Sequence, residues 1–127
     1  VSEIPATVVD FSQIEAAGRT MRAIHMEDRL VDYILKLTRA TRTPEEFGLE
    51  IGPMISYGAS PRASIWLGLT ARAHAFLSGR GYVTPQDIKS MAPDVLRHRI
   101  ILSYEAEAEE KTPDDLIAMV LERIEVP

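Results

Sequence analysis

The chain has 127 residues, 46% hydrophobic and 26% charged, which is enough for one buried core and excludes both a disordered chain and a two-domain machine. It has no cysteine, which excludes a disulfide framework, a thiolate zinc site and a cysteine nucleophile. The net charge of −5 is uneven, at −3 over residues 1–59, +4 over 60–104 and −6 over 105–127, so bulk binding to nucleic acid or to an anionic membrane is disfavoured while the middle segment can hold an anion.

Phe11, Ile14, Ala17 and Met21 recur at helical spacing and predict a short amphipathic helix. Leu30, Ile34, Leu37 and Thr41, with Val31 and Leu35, predict a longer second one. Four of the eight prolines directly follow a hydroxyl residue, in Thr43-Pro44, Ser60-Pro61, Thr84-Pro85 and Thr112-Pro113. Each pair predicts a helix start. The hydroxyl accepts from a first-turn amide, worth about 1 kcal/mol, and proline at the first position lacks only a donor that has no partner there. Glu46, Asp87 and Asp115 stand three residues after their caps as in a capping box, and Ser60 has no such acid. Residues 42–59 read as the one long connection.

The helix opened by Ser60 is expected to run to about Ser78, with Trp66, Leu69, Ala73, Phe76 and Leu77 on its core face and Gly79 as its stop. The next carries Ile88, Met91 and Ala92 and is expected to break at Pro93, where Pro93 to Leu96 restart a single turn. Glu105 to Lys111 read as an acidic turn, and Leu116, Ile117, Val120, Leu121 and Ile124 mark the last helix. Extended pieces near Ile24, at Tyr82-Val83 and at Ile100 to Leu102 suffice only for a small ribbon. The expected class is all-α, a bundle of five to six helices with at most a very short β ribbon.

Several chemistries lack their residues. Lys36, Lys89 and Lys111 follow Leu, Ile and Glu, so no glycine-lysine phosphate loop is present. Gly79-Arg80-Gly81 follows a helix instead of a strand and reads as a helix stop and turn, not a dinucleotide fingerprint. His25, His74 and His98 have no second ligand one helical turn away, so no metal site is expected. Gly58-Ala59-Ser60-Pro61-Arg62 ends in Arg where a nucleophile elbow needs Gly, which leaves Ser60 as a cap. No apolar run approaches the roughly eighteen residues that cross a bilayer, and Val1 to Pro5 lack the features of a signal peptide, so the expected setting is cytoplasmic without a membrane partner.

One residue stands in an electrostatically unfavourable place. Arg62 occupies the second position of the helix opened by Ser60, where the helix dipole disfavours a cation by about 0.3–1 kcal/mol. Free amides, a glycine at Gly58 and a guanidinium at one helix end make an anion site whose natural guest is a phosphate. The plainer alternatives are a pair with Glu46 or Glu50, or exposure to water.

Gly58-Ala59-Ser60-Pro61-Arg62-Ala63-Ser64 resembles the sensor 2 motif of MoxR-type AAA+ ATPases. Thr41-Arg42, Gly79 to Asp87 and Val95-Leu96-Arg97-His98-Arg99 match that family's C-terminal lid in order and spacing. Related lids occur in magnesium-chelatase-type ATPases. The resemblance implies that residues 1–25 connect from a missing AAA+ core and include a first short helix, and that 26–127 form the helical lid. The absence of an initiator Met at Val1 fits a piece of something longer.

The resemblance further implies that ATP and Mg2+ are held mainly by the core, with none bound tightly here. This chain alone would not be an enzyme, whereas the full chain would hydrolyse ATP. Arg62 would be the sensor 2 residue reaching the γ-phosphate, with Ser60 and Pro61 setting the helix end that aims it. Tyr33, Ile34 and Arg42 would lie near the adenine or the core interface, and a plain core position is the alternative for Ile34. His98 and Arg99 would lie at the lid's edge. The implied partners are the chain's own core and neighbouring subunits of a ring, a hexamer in full length, working as a chaperone or in metalloenzyme maturation. The competing reading is a helical nucleic-acid-binding or protein-interaction module without nucleotide.

Overall fold

In the computed structural model, which describes residues 2–127, the helices are α1 (Phe11–Arg22), α2 (Asp28–Ala40), α3 (Pro61–Leu77), α4 (Pro85–Leu96), α5 (Tyr104–Ala108) and α6 (Pro113–Arg123). Two 3-10 turns (Pro44–Phe47 and Gly52–Met54) and the strand β1 (Ile55–Tyr57) fill the long connection between α2 and α3. A third 3-10 turn (Arg97–Arg99) leads into β2 (Ile101–Leu102), which pairs antiparallel with β1, Ile55 opposite Leu102 and Tyr57 opposite Ile101. The fold is thus the expected all-α bundle with a short ribbon. The extended pieces near Ile24 and Tyr82 do not join that ribbon but meet in a parallel bridge between His25 and Tyr82.

Local sequence explains most helix starts. Asp10 accepts from the Gln13 amide at 2.9 Å while the Gln13 side chain accepts from the Asp10 amide at 2.8 Å, a reciprocal cap for α1. Thr112 and Asp115 make the same exchange for α6. At Thr84 the carboxylate of Asp87 accepts from the cap amide at 2.7 Å. Thr43 departs from the expectation: it makes no side-chain cap, its backbone is not in the usual cap conformation, and only a 3-10 turn follows. Its intended partner Glu46 is drawn instead to Arg39 on α2.

The core forms around α3, which packs on α4, α2 and α1. Its buried stripe is Ala63, Leu67, Ala71 and Ala75, each wholly inaccessible, at the i, i+4 spacing of one helix face. This corrects the expected core face. Trp66 is 49% exposed and Leu77 83%, while Phe76 packs only against the core's edge. α3 is apolar on nearly every side, so periodicity alone does not select a face; the small residues do, because they let neighbouring helices approach closely.

Two further expectations are corrected. α4 continues through Pro93 instead of breaking there. Burial of Ala92, Val95 and Leu96 around the proline offsets a penalty of about 3 kcal/mol for proline in a helix interior, at about 1.5–3 kcal/mol for each large apolar side chain buried. The acidic stretch after Tyr104 forms a short helix, α5, because Ser103 accepts from the Ala106 amide and Ala106 is buried.

Candidate functional site

The start of α3 is fastened to the end of α2 by contacts that cross the long connection. Gly58 comes so close that a Cβ there would lie 2.2 Å from the Thr41 carbonyl oxygen and 2.8 Å from the Arg42 amide nitrogen, so the close approach requires glycine. Next to it the buried Ala59 amide donates to Thr41 Oγ1 at 2.9 Å, and that hydroxyl donates to the Thr38 carbonyl at 2.7 Å. Ser64, one turn into α3, donates to Thr38 Oγ1 at 2.9 Å. Thr38 and Thr41 are themselves buried, so leaving these groups unpaired would cost about 1–3 kcal/mol each.

On this platform Pro61 is the first residue of α3 and Arg62 the second. The Ser60 hydroxyl makes no cap bond, so Ser60 shapes the start through its extended backbone, φ −75° and ψ 167°, and not through its side chain. Arg62 is exposed and has no ion-pair partner among the described residues; Glu46, the candidate partner, is already held by Arg39. Arg39, Arg42 and Pro61 line a depression of about 190 Å3 with Leu35, Thr38 and Ser64. Arg39 is neutralised by Glu46, so Arg42, just past the end of α2, is the cation that adds its guanidinium to the positive end of the α3 dipole, a surface suited to an anion.

Of the other expected site residues, Ile34 is buried and lines an apolar groove of about 410 Å3 between α2 and α3. Leu35 and Ser64 border both this groove and the cationic depression, so Ile34 and Arg42 share the face on which α3 begins. Tyr33 does not. It lines a separate hollow of about 160 Å3 with Arg29, Lys36 and residues 125–127, its hydroxyl is buried without a hydrogen-bond partner among the described residues, and burial pushes its phenol pKa up. His98 is exposed on the 3-10 turn after α4, where Arg97 pairs with Asp94 and Asp114.

Sequence reasoning missed a second polar centre. Asp87, 0% exposed, takes two bonds of 2.6 Å from Arg80, one of 2.6 Å from His74 Nδ1 and two from Thr84. Burial opposes ionisation of this carboxyl, yet the Arg80, Thr84 and His74 bonds together hold its pKa well below the usual carboxylate range. The centre ties α3, the Gly79–Gly81 turn and α4 together. The signal in the sequence was Arg80 between two glycines, seven residues before a capping acid. Among the described residues no three His, Asp or Glu side chains gather as a metal site.

Comparison with known proteins meets this geometry. The pattern of the AAA lid domain family matches residues 49–120, from the middle of the connection between α2 and α3 through most of α6. Chaperone MoxR1 of Mycobacterium tuberculosis is 44% identical over 99 residues, 77% of this chain and 26% of that protein. Protein MoxR of Methylorubrum extorquens is 33% identical over 98% of this chain and 38% of its own length. A solved protein from Cytophaga hutchinsonii, assigned as an ATPase, superposes with a TM-score of 0.83 at 44% identity, over 86% of this chain and 33% of that one. This chain therefore spans about a quarter to two fifths of the relatives it matches.

Proposed function

The chain belongs to the AAA lid domain family, with relatives of the MoxR type, and from that premise we propose that it is the nucleotide-sensing lid of a ring-forming ATPase. In this reading an α/β core with its own phosphate loop holds ATP and Mg2+, and the lid closes over the nucleotide so that Arg62 reaches the γ-phosphate. The observation that carries it is Arg62: an exposed guanidinium without an ion pair among the described residues, at the second position of a helix whose start is fixed by Gly58 and Thr41. Ser60 and Pro61 aim it, and Arg42 and Ile34 lie on the same face. Tyr33, facing the C-terminal residues, is left out of the nucleotide site.

A charge-assisted bond of this kind is worth about 1.5–3 kcal/mol, enough to shift a closed-to-open lid equilibrium roughly 10- to 150-fold when the terminal phosphate leaves. Its loss would let the lid rock against the core and hand motion to neighbouring subunits and to a client protein, as chaperone-like remodelling or metalloenzyme maturation in the cytoplasm. No helix among the described residues is long and apolar enough to cross a membrane. The apolar groove between α2 and α3, bordered by the exposed Val31, Leu35 and Ile65, supports a core packed on that side. The test is nucleotide discrimination by the full-length protein: Arg62→Ala weakens a non-hydrolysable ATP analogue at least tenfold and leaves ADP affinity unchanged. An equal loss for both nucleotides contradicts sensing of the γ-phosphate.

A further inference from the structure

The ribbon carries an apolar surface for which nucleotide sensing has no use. Tyr57 on β1, Ile101 on β2 and Tyr104 at the start of α5 are 70%, 57% and 90% exposed, and with Ser56, Leu102 and Glu107 they line a groove of about 280 Å3. Large apolar side chains gathered in one exposed place mark an interaction surface, unlike those scattered singly. The groove is firmly framed. The Ser103 amide donates to the Met54 carbonyl at 2.9 Å, the Ser103 hydroxyl to the Pro53 carbonyl at 2.7 Å and the Ser56 hydroxyl to the Leu102 carbonyl at 3.3 Å.

The one charged side chain that lines it is acidic, Glu107. Glu105, Glu109 and Glu110 lie on α5 or just beyond it, and all four carboxylates are exposed and in no ion pair among the described residues. They belong to the stretch 105–127, whose net charge is −6. Charge complementarity therefore fixes the kind of occupant. We propose that this groove docks an extended segment of a partner protein in which cationic and apolar side chains alternate. The apolar side chains cover Tyr57, Ile101 and Tyr104, the cations face the α5 carboxylates, and the segment's backbone can add to an outer edge of the two-stranded ribbon. Only Gly58, Ala59 and Ser60 separate β1 from α3, so the occupant sits beside the strand that leads to Arg62. The docking itself is independent of what Arg62 binds.

The test is fluorescence anisotropy with this 127-residue chain and three labelled decapeptides, alternating Lys-Leu, Lys-Ser and Glu-Leu. Lys-Leu is expected to bind, at least tenfold more tightly than Lys-Ser, and Glu-Leu not to bind. Tyr57→Ser with Tyr104→Ser, both exposed and so without effect on the circular dichroism spectrum, lowers Lys-Leu affinity at least tenfold, whereas Arg62→Ala does not change it. Glu105→Gln with Glu107→Gln removes most of the affinity difference between about 0.05 and 0.2 M salt. The proposal is overturned if Lys-Leu fails to bind at about 1 mM. It is equally overturned if Lys-Ser binds as well, or if the double tyrosine variant binds as tightly as the parent chain.

Discussion

Arg62 is legible in the sequence because its peculiarity is local: a cation one residue beyond a Ser-Pro helix start needs no tertiary contact to be noticed. The residues that hold it in place were not legible in the same way. Thr41 meets Ala59 across 18 residues and Ser64 meets Thr38 across 26, and hydroxyl residues in a helix's last turn carry no local mark of a distant partner. Tyr33 shows the same limit, since the resemblance that set it near the adenine or the core interface carries no mark of the C-terminal residues it lies against. Two substitutions test the fastening. Thr41→Val removes the acceptor for the buried Ala59 amide and is expected to destabilise by about 1–3 kcal/mol. Gly58→Ala forces a Cβ onto the α2 backbone and is expected to cost at least about as much as ordinary overpacking, 1–3 kcal/mol. Urea unfolding that places either variant within error of the parent contradicts this account of the α3 start.

Elements are joined by two polar centres near the two ends of α3, the Thr38 and Thr41 hydroxyl bonds at the start that carries Arg62 and a closed ion pair at Asp87. Because the folded-state pKa of Asp87 is depressed, its stabilisation is fully present above the ordinary carboxylate value of about 3.9 and is lost as pH falls below it toward the folded value. Asp87→Asn removes the carboxylate that accepts from Arg80, His74 and Thr84 and is expected to lower stability at neutral pH. Between about pH 4 and 2 the variant's melting temperature should fall less steeply than the parent's, with a residual slope from the capping carboxylates Asp10 and Asp115, whose pKa values their amide bonds also lower. Parallel slopes in the two proteins would exclude Asp87 as the source. Most helices were readable from caps and spacing. What was not readable was decided by contacts beyond the local pattern: small residues chose the buried stripe of α3 and left Trp66 outward, burial around Pro93 outweighed its helix-breaking tendency, burial of Ala106 made a helix of the acidic stretch, and Arg39 drew Glu46 away from the Thr43 cap.

At the scale of the molecule, the +4 segment offers little to nucleic acid, because Arg80 and Arg97 are already committed to Asp87, Asp94 and Asp114. The α2–α3 face is instead an apolar surface beside a cationic depression, as a lid packed against a nucleotide-bearing core requires. The lid account as a whole stands on one contact, and the most direct measurement is single-turnover ATP hydrolysis by the full-length protein carrying Arg62→Ala. The account predicts a rate about 10- to 100-fold slower, the equivalent of losing a charge-assisted hydrogen bond, with the circular dichroism spectrum of the isolated chain unchanged. Hydrolysis at the parent rate would contradict it.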